Sequence, residues 1–316
     1  MRYGDLLTRA LAISWRHKYL WLLALFAGEG AMFELHNTQG FPTSQNGGGS
    51  QLEGPTTGQF MAWLTAHAGL VWSIAIVAAL VFVALLLLSA VANGALIRGA
   101  AEHDQERPFG LGPAWRTGIQ NFWPVLQMKL VVLAVVLAAL LVVGSLALAA
   151  FAGGQAGNVA LAVGAGAGAG LLLLLAIPSW IVFSVAVLLG MRAIVLDGMR
   201  PFAALGTGFA LIRRRLGRVA LVWLLAAAAG IVGAIGVGIA AFVVALPLAG
   251  IVAGTYFAAG LVAAVVVGIP AALVWLAVLL ALSGGVNAFT STFWTLSFTR
   301  FDQEPQPVAA GSPQPA

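Results

Sequence analysis

Three stretches of this chain, Gly54–Ile97, Leu130–Met191 and Val219–Thr299, contain no Asp, Glu, Lys or Arg. A helix needs about 20 apolar residues to cross a hydrocarbon core of about 30 Å. The first stretch, after a polar lead-in, holds one such helix, and each of the others holds at least two. Only 8% of the residues are charged, against about 25% in a soluble domain. That is too few to cover a water-facing surface, so the implied class is an all-α membrane protein.

The bases give the orientation. All fifteen Lys and Arg fall in four clusters, Arg2–Lys18, Arg98–Lys129, Arg192–Arg218 and Arg300. One side of a membrane accommodates them all if the chain crosses about six times, and basic loops stay on the cytoplasmic side. The expected spans are about 19–33, 69–97, 125–151, 158–191, 219–246 and 255–286. Three spans in the last stretch would send Arg300 outside. The expected location is therefore the plasma membrane of a bacterium, multi-pass, with both termini cytoplasmic. Residues 1–18 are amphipathic, and Ala31-Met32-Phe33-Glu34 offers no small-x-small cleavage site, so the first helix reads as retained. Residues 34–67 read as a flexible outer loop and 303–316 as a disordered cytoplasmic tail, with the polytopic domain covering 1–302. Pro178 should kink the fourth span, and Pro247-Leu248-Ala249-Gly250 marks a turn between the fifth and sixth.

The net charge of +5 follows from this one-sided placement and does not indicate nucleic acid. Cysteine is absent, which excludes disulfides, thiolate metal sites and thiol nucleophiles.

The two inner loops resemble each other. Each contains Arg-Pro-Phe, at Arg107-Pro108-Phe109 and Arg200-Pro201-Phe202. An amphipathic stretch follows each, marked by Leu111, Trp115, Ile119 and Phe122 in one and by Phe202, Leu205, Phe209, Ile212 and Leu216 in the other. Proline suits the start of such a helix, where its missing N–H costs nothing. Residues 1–18 have the same character and end in Trp15-Arg16-His17-Lys18. The chain thus reads as three transmembrane hairpins, each preceded by a cytoplasmic amphipathic interfacial helix.

Gly94-Ala95-Leu96-Ile97-Arg98, Ala114-Trp115-Arg116, Arg192-Ala193-Ile194-Val195-Leu196, Leu211-Ile212-Arg213-Arg214 and Thr292-Phe293-Trp294-Thr295-Leu296-Ser297-Phe298-Thr299-Arg300 carry a family likeness. With the Arg-Pro-Phe elements they resemble bacterial polytopic proteins of the glycerophosphoryl diester phosphodiesterase membrane-domain family, and related uncharacterised six-helix proteins. In those phosphodiesterases the chemistry belongs to a separate soluble barrel. This sequence contains no such barrel, so the resemblance implies the membrane fold and not the activity.

No catalytic constellation emerges. Glu29 is a possible intramembrane carboxylate, functional by default when buried, although flanking Gly28 and Gly30 favour an interfacial position. Glu34, His36, Glu53 and His67 match no zinc spacing. Glu102, His103, Asp104 and Glu106 read as a solvated inner loop rather than an acid–base site. Gly164, Gly166, Gly168 and Gly170, and Gly250 with Gly254, make small-x-x-x-small patterns that suggest close helix packing. No metal or cofactor is expected. The leading expectation is a non-enzymatic integral membrane protein that engages anionic lipid headgroups or partner subunits, including copies of itself. Arg107, Arg116, Arg200, Arg213, Arg214 and Arg215 would make the polar contact, and Phe109, Trp115, Phe202 and Phe209 would anchor it. A small transporter for an apolar or lipid-like substrate is the alternative, and a lipid-modifying enzyme the third.

Overall fold

The computed structural model describes residues 3–28 and 57–303. Every regular element among them is a helix: α1 (Tyr3–Arg16), α2 (Tyr19–Ala27), α3 (Thr57–Ala66), α4 (Ala68–Asp104), α5 (Leu111–Gln120), α6 (Phe122–Gln155), α7 (Val159–Asp197), α8 (Pro201–Arg214) and α9 (Leu216–Gln303). Four of them, α4, α6, α7 and α9, are long and apolar enough to cross a membrane. Glu29 and most of the expected outer loop and tail lie outside the described residues. The described part of that loop forms α3.

Helix α9 is two helices meeting at Gly260, where φ is 82° and ψ is −176°. Only glycine adopts that conformation without strain. Across it, Gly268 faces Val252, Gly233 faces Val286, and the Trp275 indole N–H donates to the Ala241 carbonyl at 3.0 Å. These pairs centre on Gly260, so the two arms run antiparallel. The turn expected at Pro247–Gly250 is instead continuous helix. Proline is tolerated in a long apolar helix where neighbours compensate for its lost bond. Helix α7 likewise passes through Pro178 without interruption.

Only the first part of the expected first span, 19–33, lies within the described residues. Helix α2 ends at Ala27, and Gly28 caps it in the left-handed conformation at φ 68°, a common way to stop a helix. Its nine residues rise only about 13 Å. Helix α4 in contrast overruns its expected end at Ile97 and continues to Asp104.

The packed core sits at one end. Buried side chains concentrate in Ala90–His103 of α4, Ser184–Val195 of α7 and Ala288–Phe301 of α9, joined by α1 and α2. Elsewhere the long helices expose Leu, Val, Ile and Phe along most of their length. Helix α1, the last turns of α9, the α4–α5 joint and the α7–α8 joint all lie at the packed, basic end.

Small residues close that end. A Cβ on Gly118 of α5 would overlap the Val91 carbonyl of α4, and one on Gly208 of α8 would overlap the Ala186 carbonyl of α7. A Cβ on Gly284 of α9 would lie 2.6 Å from the Trp21 carbonyl of α2. Each amphipathic helix thus folds back on the long helix that precedes it, and α1 packs on the last arm of α9. The sequence reading paired each with the hairpin that follows. The glycines singled out for packing do not serve that role: Gly164, Gly168, Gly170, Gly250 and Gly254 meet nothing within 4 Å, and Gly166 meets only Ala150 at 3.9 Å. Spacing identifies a small-residue stripe but not what it faces.

Gly118→Leu and Gly208→Leu are each expected to lower the thermal midpoint in detergent by roughly 3–10 °C, since overpacking costs about 1–3 kcal/mol or more. Gly168→Leu should leave the midpoint nearly unchanged. Equal effects at all three positions would contradict the packing described.

Candidate functional site at the basic end

Helices α5 and α8 bury small residues and turn large ones outward. Helix α5 buries Ala114 and Gly118 and exposes Leu111, Trp115, Arg116 and Ile119. Helix α8 buries Pro201, Ala204 and Gly208 and leaves Phe202 75% and Phe209 40% exposed. Arg213 and Arg214 occupy its last turn and Arg215 its C-cap, where positive charge complements the helix dipole. Spacings of seven and four put Phe202, Phe209 and Arg213 on one face. Arg200 is the extended N-cap, with Pro201 at the first helical position.

Three of the expected contact residues behave differently, Arg215 being only half-exposed. Arg107 pairs with Glu102 at 3.3 Å, and Phe109 is half-buried against the core. The first Arg-Pro-Phe therefore precedes its helix, which begins at Leu111, whereas the second starts one.

The run Glu102-His103-Asp104 is not a solvated loop. Glu102 is buried and held by Arg98 at 2.6 Å as well as by Arg107. Asp104 meets Arg9 of α1 at 2.6 Å and Arg300 of α9 at 3.7 Å. The end of α4 is thus a hub joining both chain ends. Its apolar partners leave these acids no room in the core without a base beside them. His103 stacks on His17 at 3.5 Å between ring centroids and shares a 2.7 Å hydrogen bond with the Tyr19 hydroxyl. It lies beyond Arg98, outside the apolar stretch. Burial and the His17 ring pull its pKa from 6.5 down to about 4, opposed by Glu102. The folded protein therefore holds a neutral ring.

Two bases lie deeper in the bundle, and their spacing in the sequence assigns neither a contact. Arg192 is fully buried. It donates to the Leu188 carbonyl at 2.6 Å, and to the Ser291 carbonyl and hydroxyl at 3.2 and 3.4 Å, tying α7 to α9. Lys129 of α6 donates to the Ala27 carbonyl at 2.9 Å and to the Ser89 hydroxyl at 2.6 Å. Ser89 and Asn93 also donate to Ala27, at 3.3 and 3.5 Å. A lysine, a serine and an asparagine thus converge on the last carbonyl of α2, at the negative end of its dipole. The signal for Lys129 was present: Met128 and Leu130 flank it inside an expected span, where an ionisable residue is rarely incidental.

The arrangement offers cations and aromatic rings on an outward surface. Among the described residues no group of three His, Cys, Asp or Glu is placed to hold a metal.

These features define an all-helical protein with four helices apolar enough to cross a membrane, closed at one end by amphipathic helices. Residues 8–306 match a family described as a family of unknown function (DUF7544), and the chain belongs to that family. No curated protein and no solved structure matches it.

Because the folded pKa of His103 lies below its ordinary value, the neutral ring contributes stability that is complete above about pH 6.5 and is lost as pH falls toward 4. The thermal midpoint in detergent should fall across that window in the native protein and less steeply in His103→Gln. Identical slopes would remove His103 as the source.

Proposed function

We propose that this is a non-enzymatic integral protein of a bacterial plasma membrane, which engages anionic lipid headgroups or partner subunits through a basic cytoplasmic face. Helices α4, α6 and α7 and the two arms of α9 make five crossings. A first crossing that begins with α2 brings the proposed number to six. The crossings pair as three hairpins, and both termini lie in the cytoplasm.

The observation that carries this reading is the orientation of α5 and α8. Their small faces are buried against the long helices, and Trp115, Phe202 and Phe209 point away from the protein. Exposed Arg116, Arg200, Arg213 and Arg214 accompany them. Large side chains on an outer face, beside arginines, suit the boundary between acyl chains and headgroups. Each basic residue near an anionic surface contributes about 1 kcal/mol. The reading does not rest on the phosphodiesterase resemblance.

A transporter of an apolar or lipid-like substrate is the second reading. The polar cap formed by Lys129, Ser89 and Asn93 within otherwise apolar helices favours it. Fluorescent-lipid translocation in proteoliposomes that vanishes with Lys129→Met would move it to first place.

Replacing Arg213, Arg214 and Arg215 together by Gln is expected to weaken retention of anionic lipid roughly 10- to 100-fold, read by native mass spectrometry from lipid nanodiscs. Unchanged retention would overturn the proposal.

A further inference from the structure

Lys18 stands at the joint between α1 and α2. Its ammonium nitrogen lies 3.7 Å from the centroid of the Trp15 ring and 3.9 Å from that of Trp21. The rings meet edge to face, with centroids 5.5 Å apart. Trp21 is itself fixed. Its indole N–H donates to the Ser14 carbonyl at 2.8 Å. Its carbonyl rests on Gly284 and its ring on Gly285 of α9. The two glycines admit the tryptophan, the tryptophan holds the lysine, and the position of the charge is thereby set by the last helix of the chain.

Among the described residues no carboxylate lies against Lys18, whereas Arg9, Arg98, Arg107 and Arg300 have acidic partners. A cation held over two indoles keeps its full charge and gains from their ring electrons. It also loses little further freedom when an anion arrives.

The surface continues below the charge. Leu22, four residues on and therefore on the same face of α2, is 52% exposed, and Trp15 is 65% exposed. An ammonium, two indole rings and an exposed aliphatic side chain are thus grouped at the α1–α2 joint, the chemistry that a phospholipid's phosphate and acyl chain require.

We propose that Trp15, Lys18, Trp21 and Leu22 form a phospholipid site. The lipid phosphodiester sits on the Lys18 ammonium, and the first methylenes of an acyl chain lie along Trp15 and Leu22. The site rests on the reading that the basic end lies at a membrane surface. It lies on a different element from the arginines of α8, so each is tested without the other.

The full chain, purified in mild detergent, is titrated with dioleoyl phosphatidylglycerol and its bound lipids are counted by native mass spectrometry. Lys18→Gln and Trp15→Leu are each expected to weaken one binding step by about 3- to 10-fold, and Lys18→Arg to retain it. The variant with Arg213–Arg215 replaced by Gln should keep this step. Its loss from that variant, with no effect of Lys18→Gln, would support the α8 reading and overturn the Lys18 site. Millimolar inorganic phosphate should not displace the lipid, and displacement would make the site one for free phosphate. Unaltered stoichiometry and affinity in Lys18→Gln and Trp15→Leu, with the thermal midpoint preserved, would overturn the proposal.

Discussion

The structure depends on backbone close approach at the basic end. Where Gly118 meets the Val91 carbonyl and Gly208 meets the Ala186 carbonyl, there is no space even for a methyl group. Lipid-soluble helices gain nothing from exchanging lipid contact for contact with each other's aliphatic side chains. Their association rests on packing and on polar contacts instead. Glycine provides the first by letting one helix lie on the carbonyls of another. With the small face of each amphipathic helix committed inward, its large face is left on the outside. The fold and the proposed lipid-facing surface thus have one cause.

Polar contacts supply the remainder, and they are graded along the bundle. At its end, Glu102 and Asp104 gather Arg9, Arg98, Arg107 and Arg300. Within the core, Arg192 joins α7 to α9 through the Ser291 carbonyl and hydroxyl. Deeper still, Lys129 caps α2. Each position gives a charged or polar group a partner of defined geometry, which a low-dielectric surrounding requires. Beyond Lys129 the long helices carry aliphatic side chains outward with little polar content. That division explains why a buried core occupies only one end.

Much of this was legible in the sequence. Uncharged runs located the long helices, and the Leu111–Trp115–Ile119 and Phe202–Phe209 spacings located the outward faces of α5 and α8. Both depend on a residue's own chemistry and on helical periodicity, which a sequence states directly. What was hidden depends on partners. Gly118 and Gly208 carry no mark that separates them from Gly164 or Gly250. Phe109 looks as lipid-facing as Phe202, yet it packs on the core. Gly260 reverses the chain while the more conspicuous Pro247 does not. Glu102 and Asp104 read as loop acids because the arginines that pair with them come from both ends of the chain.

In the proposed arrangement the large faces of α5 and α8 meet lipid at the inner boundary. The chain has no cysteine, so single nitroxide labels can be introduced without background. Labels at positions 115, 202 and 209, in reconstituted protein, should relax strongly with oxygen, which partitions into the bilayer, and weakly with a water-soluble nickel chelate. Labels that respond to the nickel chelate and not to oxygen would place those faces in water and rule out lipid contact there.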